Sequence, residues 1–348
     1  MAKRAARECP DCVDMDRRDF VSYLGRGAVA FSALSPLAAL AAEGEKAASA
    51  PKVIAKPEKP AEALIRELYA SFSSEQKQTL VYPWDHGASA TERPTRTKMV
   101  NGPHFDKKIG ASYTKPQQEL CQQILRAICS DDDGYQRITR RGTFDASGSF
   151  EAIGALLFGE PVDGKPYSFV FSGHHLTVRC DGNSEPGAAF GGPMYYGHSP
   201  NGYNAANVFN YQTRSVLNLF GALDGEQRKQ AIVTGKGPGE QYGSVRLDPA
   251  QKTHPGIALA ALSGDQKELV EKVMRDILSP YRKEDGDEVM EIVKANGGLD
   301  QVHLAFYQES DKADQKNWNF WRLEGPGFVW NYRVLPHVHT FVNIAKQA

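Results

Sequence analysis

Two stretches of the chain carry the three-and-four spacing of apolar residues that marks one buried helical face. Leu120, Cys121, Ile124, Leu125 and Ile128 form the first; Leu269, Val270, Val273, Met274, Ile277 and Leu278 form the second. Each follows a helix start in which a capping side chain lies three residues before a glutamine, so that each bonds to the other's backbone. This start occurs four times, as Ser73-Ser74-Glu75-Gln76, Thr114-Lys115-Pro116-Gln117, Asp224-Gly225-Glu226-Gln227 and Ser263-Gly264-Asp265-Gln266. The step from Ser73 to Asp224 nearly equals the step from Thr114 to Ser263. An aromatic strand-like segment also comes twice, as Tyr167-Ser168-Phe169-Val170-Phe171-Ser172-Gly173 and as Trp318-Asn319-Phe320-Trp321-Arg322-Leu323-Glu324-Gly325.

These patterns predict an α+β fold built as a tandem pseudo-repeat, each unit two helices plus antiparallel strands, over residues 61–215 and 216–348. Between the repeated segments, Asp181 to Tyr203 is rich in Gly, Asn, Tyr and Pro and reads as a loop. Tyr195, Tyr196, His198 and Tyr203 concentrate there, as expected of a pocket wall.

The amino-terminal region has a different character. Arg17-Arg18-Asp19-Phe20-Val21, an apolar stretch from Gly27 to Leu40 and small residues to Ala42 read as a twin-arginine export signal over residues 1–42, followed by an Ala-, Lys-, Glu- and Pro-rich linker over 43–60. The expected partner is the twin-arginine export machinery, and the expected location is the periplasm or the extracellular space. That route carries folded proteins and suits one that must acquire a metal first. Outside this leader no apolar run reaches membrane-spanning length, so a soluble chain without a permanent span is expected. The chain has 41 Lys and Arg against 42 Asp and Glu. This balance offers nothing to attract nucleic acid. Cys9 and Cys12 fall in the leader, while Cys121 and Cys129 lie two turns apart on one helix, so no disulfide framework is expected.

Candidate chemistry centres on histidine. Gly173-His174-His175-Leu176 falls within an apparent strand from Phe169 to Cys180, and Pro336-His337-Val338-His339-Thr340 closes the second unit. An H-x-H on an extended strand points both rings to one side, which suits a shared metal ion, whereas adjacent histidines on a strand point apart. His337, His339 and one of His174 and His175, with His175 slightly favoured, are therefore the expected ligands of a divalent zinc or copper ion. His198, Tyr195 and Tyr332 are expected to line the pocket and Arg179 to orient an anionic group. His198 and His104 are further candidates as a fourth ligand or base. No G-x-S-x-G, H-E-x-x-H or phosphate-binding glycine loop occurs.

Phe171-Ser172-Gly173-His174-His175-Leu176-Thr177, Leu157-Phe158-Gly159-Glu160-Pro161, the Gly325-Pro326-Gly327-Phe328 turn and the closing His337-Val338-His339 resemble the bacterial domain of unknown function family 3500. The resemblance spans most of residues 62 to 342 and implies a fold-level grouping, often exported, with no activity to carry over. The chain has Asn319-Phe320-Trp321-Arg322 where members tend to show His-Tyr-Tyr-Arg, and Asn331-Tyr332-Arg333 where they tend to place acidic residues. The expectation is an exported metal-dependent enzyme, a zinc hydrolase or copper oxidoreductase, acting on a small-molecule or polymeric extracytoplasmic substrate. The alternative is a non-catalytic extracytoplasmic protein that binds a ligand or glycan.

Overall fold

The computed structural model describes residues 59–99, 106–238, 245–248, 251, 253–308 and 318–347. The leader, nearly all of the linker and His104 lie outside the described residues.

Aromatic and β-branched runs bounded by glycine favour a pleated, two-sided buried surface, and here they form one mixed sheet. In chain order its strands are β1 (Val81–Tyr82), β2 (Gly154–Gly159), β3 (Tyr167–Gly173), β4 (Leu176–Cys180), β5 (Met194–His198), β6 (Ile232–Thr234), β7 (Ile257–Ala258), β8 (His303–Gln308), β9 (Phe320–Gly325), β10 (Phe328–Arg333) and β11 (Val338–Ile344). They lie side by side as β1-β2-β3-β4-β5-β11-β10-β9-β8-β6, with β7 added against β8. β1 joins β2 and β6 joins β8 in parallel, and the other pairings are antiparallel. The order reads alike from either edge. Its two arms meet where β5 pairs with β11, from Val338 opposite His198 to Val342 opposite Met194.

Period-two alternation divides the central strands between two faces. Tyr196, Val338, Val342, Trp330, Tyr332, Trp321 and Leu323 enter the main core with the helices. Tyr195, Phe341 and Val329 form a smaller cluster with Met99 and Val245. The stretch Asp181 to Tyr203 is thus not all loop, because its middle is β5, the strand at which the arms meet. A strand buried on both faces shows no polar alternation, which is why Met194-Tyr195-Tyr196-Gly197-His198 did not read as one.

All four expected helix starts form capping boxes, at Ser73, Thr114, Asp224 and Ser263. Their glutamines do more than cap. Gln76 donates to Gln117 Oε1 at 2.7 Å and accepts from Gln117 Nε2 at 3.0 Å. Gln227 and Gln266 repeat this reciprocal pair at 3.0 and 2.7 Å. Each amide oxygen also accepts from its own cap residue's N–H. An amide can donate and accept at once, which explains glutamine where glutamate would serve a lone capping box equally well. Behind these joints, helix Ala61–Ala70 packs on Lys115–Ile128 and Asn210–Ala222 packs on Gly264–Leu278.

The amide pair predicts its own failure. Gln117→Glu should cost about 1–2 kcal/mol by urea unfolding, since Ser71 O and Gln76 Oε1 lose a donor. The double change Gln76→Glu, Gln117→Glu sets two carboxylates at that spacing and should cost more than the sum of the single changes. Simple additivity would contradict this account.

Candidate metal centre

β3 and β4 are joined by only two residues, His174 and His175, closed by Gly173 opposite Leu176. The expectation of two strand histidines pointing apart is corrected here, because this pair forms a hairpin turn. His175 sits at φ +57°, a left-handed backbone that costs a non-glycine residue about 1–3 kcal/mol. The β9–β10 turn, Pro326-Gly327, has the same length and places Gly327 at φ +72°. One turn uses the residue its geometry favours. The other carries an imidazole there, fully buried.

His337 lies in the bend before β11 and His339 within that strand. His337 Nε2 is 2.9 Å from His175 Nε2 and 2.8 Å from His339 Nε2. Each of the three residues is at most 1 % exposed, and their ligand nitrogens lie within 4.8 Å of one another. Gly197, opposite His339 across the junction, makes room for this. A Cβ there would stand 2.4 Å from Val338 O, 3.0 Å from His339 Cδ2 and 3.2 Å from His175 Cγ.

Two charged groups orient the rings. Asp145 accepts from His175 Nδ1 at 2.6 Å and from His198 Nδ1 at 2.7 Å, and forms an ion pair with buried Arg140 at 3.3 Å. Burial alone would raise the Asp145 pKa, but these hydrogen bonds and the Arg140 charge hold it far below the usual carboxylate range. On the other side, Arg333 stands opposite His339 in the β10–β11 pairing. Its Nε donates to His337 O at 3.2 Å, and its Nη2 lies 2.9 Å from His339 Nε2 and 3.3 Å from His337 Nε2.

Burial pushes His175 well below the ordinary histidine pKa, against the pull of Asp145. Burial does the same to His339, reinforced by the Arg333 charge. Both rings are therefore neutral at pH 7, the form that binds metal.

The proton positions follow. An ionised carboxylate only accepts, so the His175 proton is on Nδ1 and its Nε2 presents a lone pair to the cluster. A guanidinium only donates, so His339 Nε2 presents a lone pair as well. His337 Nε2 faces both of these nitrogens, with the Arg333 Nη2 donor 3.3 Å away. A divalent ion held by His175, His337 and His339 would accept a lone pair from each imidazole. The donor set fits a divalent ion.

Residues 55–346 match the model of a family described as Protein of unknown function (DUF3500). The chain belongs to that family. Comparisons with curated proteins and with solved structures gave no match.

The other expected site residues of this DUF3500 chain are placed differently. The His174 ring lies tilted against His175 with ring centres 3.8 Å apart, and its Nδ1 accepts from Ala146 N at 3.2 Å, which commits that nitrogen to the loop. His198 reaches the cluster through their shared Asp145. Tyr195 packs edge-on against His339, with centroids 5.4 Å apart, and stacks on Phe341. Tyr332 does not join them, since strand alternation turns it to the opposite face, where its hydroxyl meets Thr213 Oγ1 at 2.7 Å. Arg179 is buried, donates to Pro193 O and Lys98 O, and so pins loops.

Sequence reasoning missed Asp145, Arg140 and Arg333. Asp145 belongs to a polar Gly- and Ser-containing stretch, and Arg140, Arg141, Phe144 and Asp145 all have positive φ. No period announces such a loop.

Removing Asp145 should be costly because it leaves the buried Arg140 without its ion-pair partner among the described residues. Asp145→Ala is expected to lower unfolding free energy by about 3–5 kcal/mol in urea titration. A loss below about 1 kcal/mol would show that the ion pair does not organise this loop.

Proposed function

We propose that this DUF3500 chain is an exported metal-dependent enzyme in which His175, His337 and His339 hold a divalent zinc or copper ion. The observation carrying this reading is the convergence of three buried imidazole nitrogens, His337 Nε2 lying 2.9 Å from His175 Nε2 and 2.8 Å from His339 Nε2. Imidazole nitrogens suit either ion, and the Asp145 carboxylate behind His175 fixes that ring's tautomer and raises its basicity. Zinc, when bound, would supply a Lewis acid for hydrolysis. His198 is the base of this scheme. Asp145 holds its Nδ1–H, which leaves Nε2 to take a proton, and its side chain keeps 15 % exposure. Copper in the same nitrogens would make the centre an oxidoreductase.

The leader sequence supports passage through the twin-arginine machinery to the periplasm or extracellular space, with a soluble mature chain. Among the described residues no helix is long and apolar enough to cross a membrane. A tandem duplication is supported by the matched capping boxes, the two glutamine pairs, the two-residue turns and a strand order that reads alike from both edges. Burial of the rings favours a small-molecule substrate over a polymeric one. The same burial supports a second reading, a non-catalytic extracytoplasmic protein that binds a ligand or glycan and uses the histidines only to brace its strands.

Elemental analysis separates the two readings. Full chain purified without an affinity tag is expected to carry about one zinc or copper ion, and His337→Ala, His339→Ala protein with unchanged circular dichroism should carry none. Wild-type protein that stays metal-free after incubation with excess zinc and copper ends the enzyme proposal.

A further inference from the structure

We propose that His174 is the positioning residue of this centre, fastening the Asp145 loop to the β3–β4 turn so that one carboxylate aims both His175 and His198. The inference rests on the metal reading above and gives His174 a role other than that of a ligand. The strand ladder ends where Gly173 pairs with Leu176, so the N–H and C=O of the buried His174 lie beyond it and need partners. The loop supplies both. His174 N donates to Ser147 Oγ at 2.8 Å, and Arg140 Nη2 donates to His174 O at 2.9 Å.

The side chain adds a third bond, in which Ala146 N donates to His174 Nδ1 at 3.2 Å. Asp145, His174 and His175 lie close enough together to suggest an ion of their own. A neutral imidazole that accepts at Nδ1, however, carries its proton on Nε2 and has no second lone pair to give. The three bonds bracket Asp145, since Arg140 precedes it and Ala146 and Ser147 follow it directly. Phe144 sits at φ +50° and Asp145 at φ +48°, backbone angles that persist where surrounding contacts over-determine them. Gly173 permits the close approach, because a Cβ there would stand 2.5 Å from Ile153 Cγ2 and 3.4 Å from Ser147 Oγ. The carboxylate placed in this way meets His175 Nδ1 at 2.6 Å and His198 Nδ1 at 2.7 Å, one oxygen for each ring. Loosening His174 therefore misaligns a ligand and the base together.

The test titrates Co²⁺, whose visible absorption reports the ion's ligands, into full-chain wild type, His174→Asn, His174→Leu and Ser147→Ala, each checked by circular dichroism. Asn places an amide oxygen where the imidazole has Nδ1 and so keeps the acceptor, whereas Leu removes it. Folded His174→Leu should bind Co²⁺ about tenfold or more weakly than wild type, the loss typical of deleting a group that orients a metal ligand. His174→Asn should stay within about threefold of wild type, with the wild-type spectrum, because the hydrogen bond is kept. Ser147→Ala leaves the ring in place and should weaken binding about fivefold, which decides the matter if His174→Leu does not fold. Wild-type affinity in folded His174→Leu or in Ser147→Ala overturns this inference alone. So does His174→Asn binding as weakly as His174→Leu, or an altered His174→Asn spectrum, which would make His174 a ligand. Wild-type protein that takes up no Co²⁺ overturns the metal reading and this inference together.

Discussion

Antiparallel pairing of β5 with β11 is the constraint from which the rest follows. It closes two arms into one sheet, and it sets Gly197 opposite His339 and His198 opposite Val338. Residues far apart in the chain become neighbours there because a strand of the first arm shares backbone hydrogen bonds with the last strand of the second. The absence of a side chain at Gly197 matters as much as the pairing. It lets the His175 ring, delivered from the β3–β4 turn, lie beside His339 with centroids 4.8 Å apart.

Around that junction the polar groups are ordered by charge. Asp145 is held anionic by Arg140 and two imidazole N–H groups, and its orientation of His175 determines which nitrogen faces the cluster. Arg333 does the corresponding work for His339 from the opposite side. The histidines are therefore positioned by partners on separate elements, a loop and a strand. A buried ion pair of this sort contributes little net stability but punishes loss of either member, which suits a group whose role is to hold geometry.

Much of the helical layer was legible in the chain itself. Four capping boxes and two apolar stripes depend on contacts three and four residues apart, and such contacts leave a local record in Ser73 to Gln76 or Leu120 to Ile128. The histidine pairs were visible by their composition and spacing. What stayed hidden needed knowledge of tertiary placement. The His174-His175 turn lacks the Gly or Asn that announces a left-handed residue, so it passed for strand interior. β5 is buried on both faces and shows no alternation, while Tyr332 and Arg179 suggest a site by residue type but are directed elsewhere by strand parity and by buried carbonyl partners. Asp145 and Arg333 act across the fold, on histidines that nothing local associates with them.

The paired glutamines have a consequence beyond helix initiation. Carboxamides neither gain nor lose a proton across the range of acidity in which proteins stay folded, so the contacts between Gln76 and Gln117 and between Gln227 and Gln266 are indifferent to pH. Joints built from Glu and Lys would slacken as their surroundings turned acidic or alkaline. These two joints can thus meet changing acidity unaltered, while ion pairs elsewhere on the helices, such as Arg282 with Glu62, respond to it.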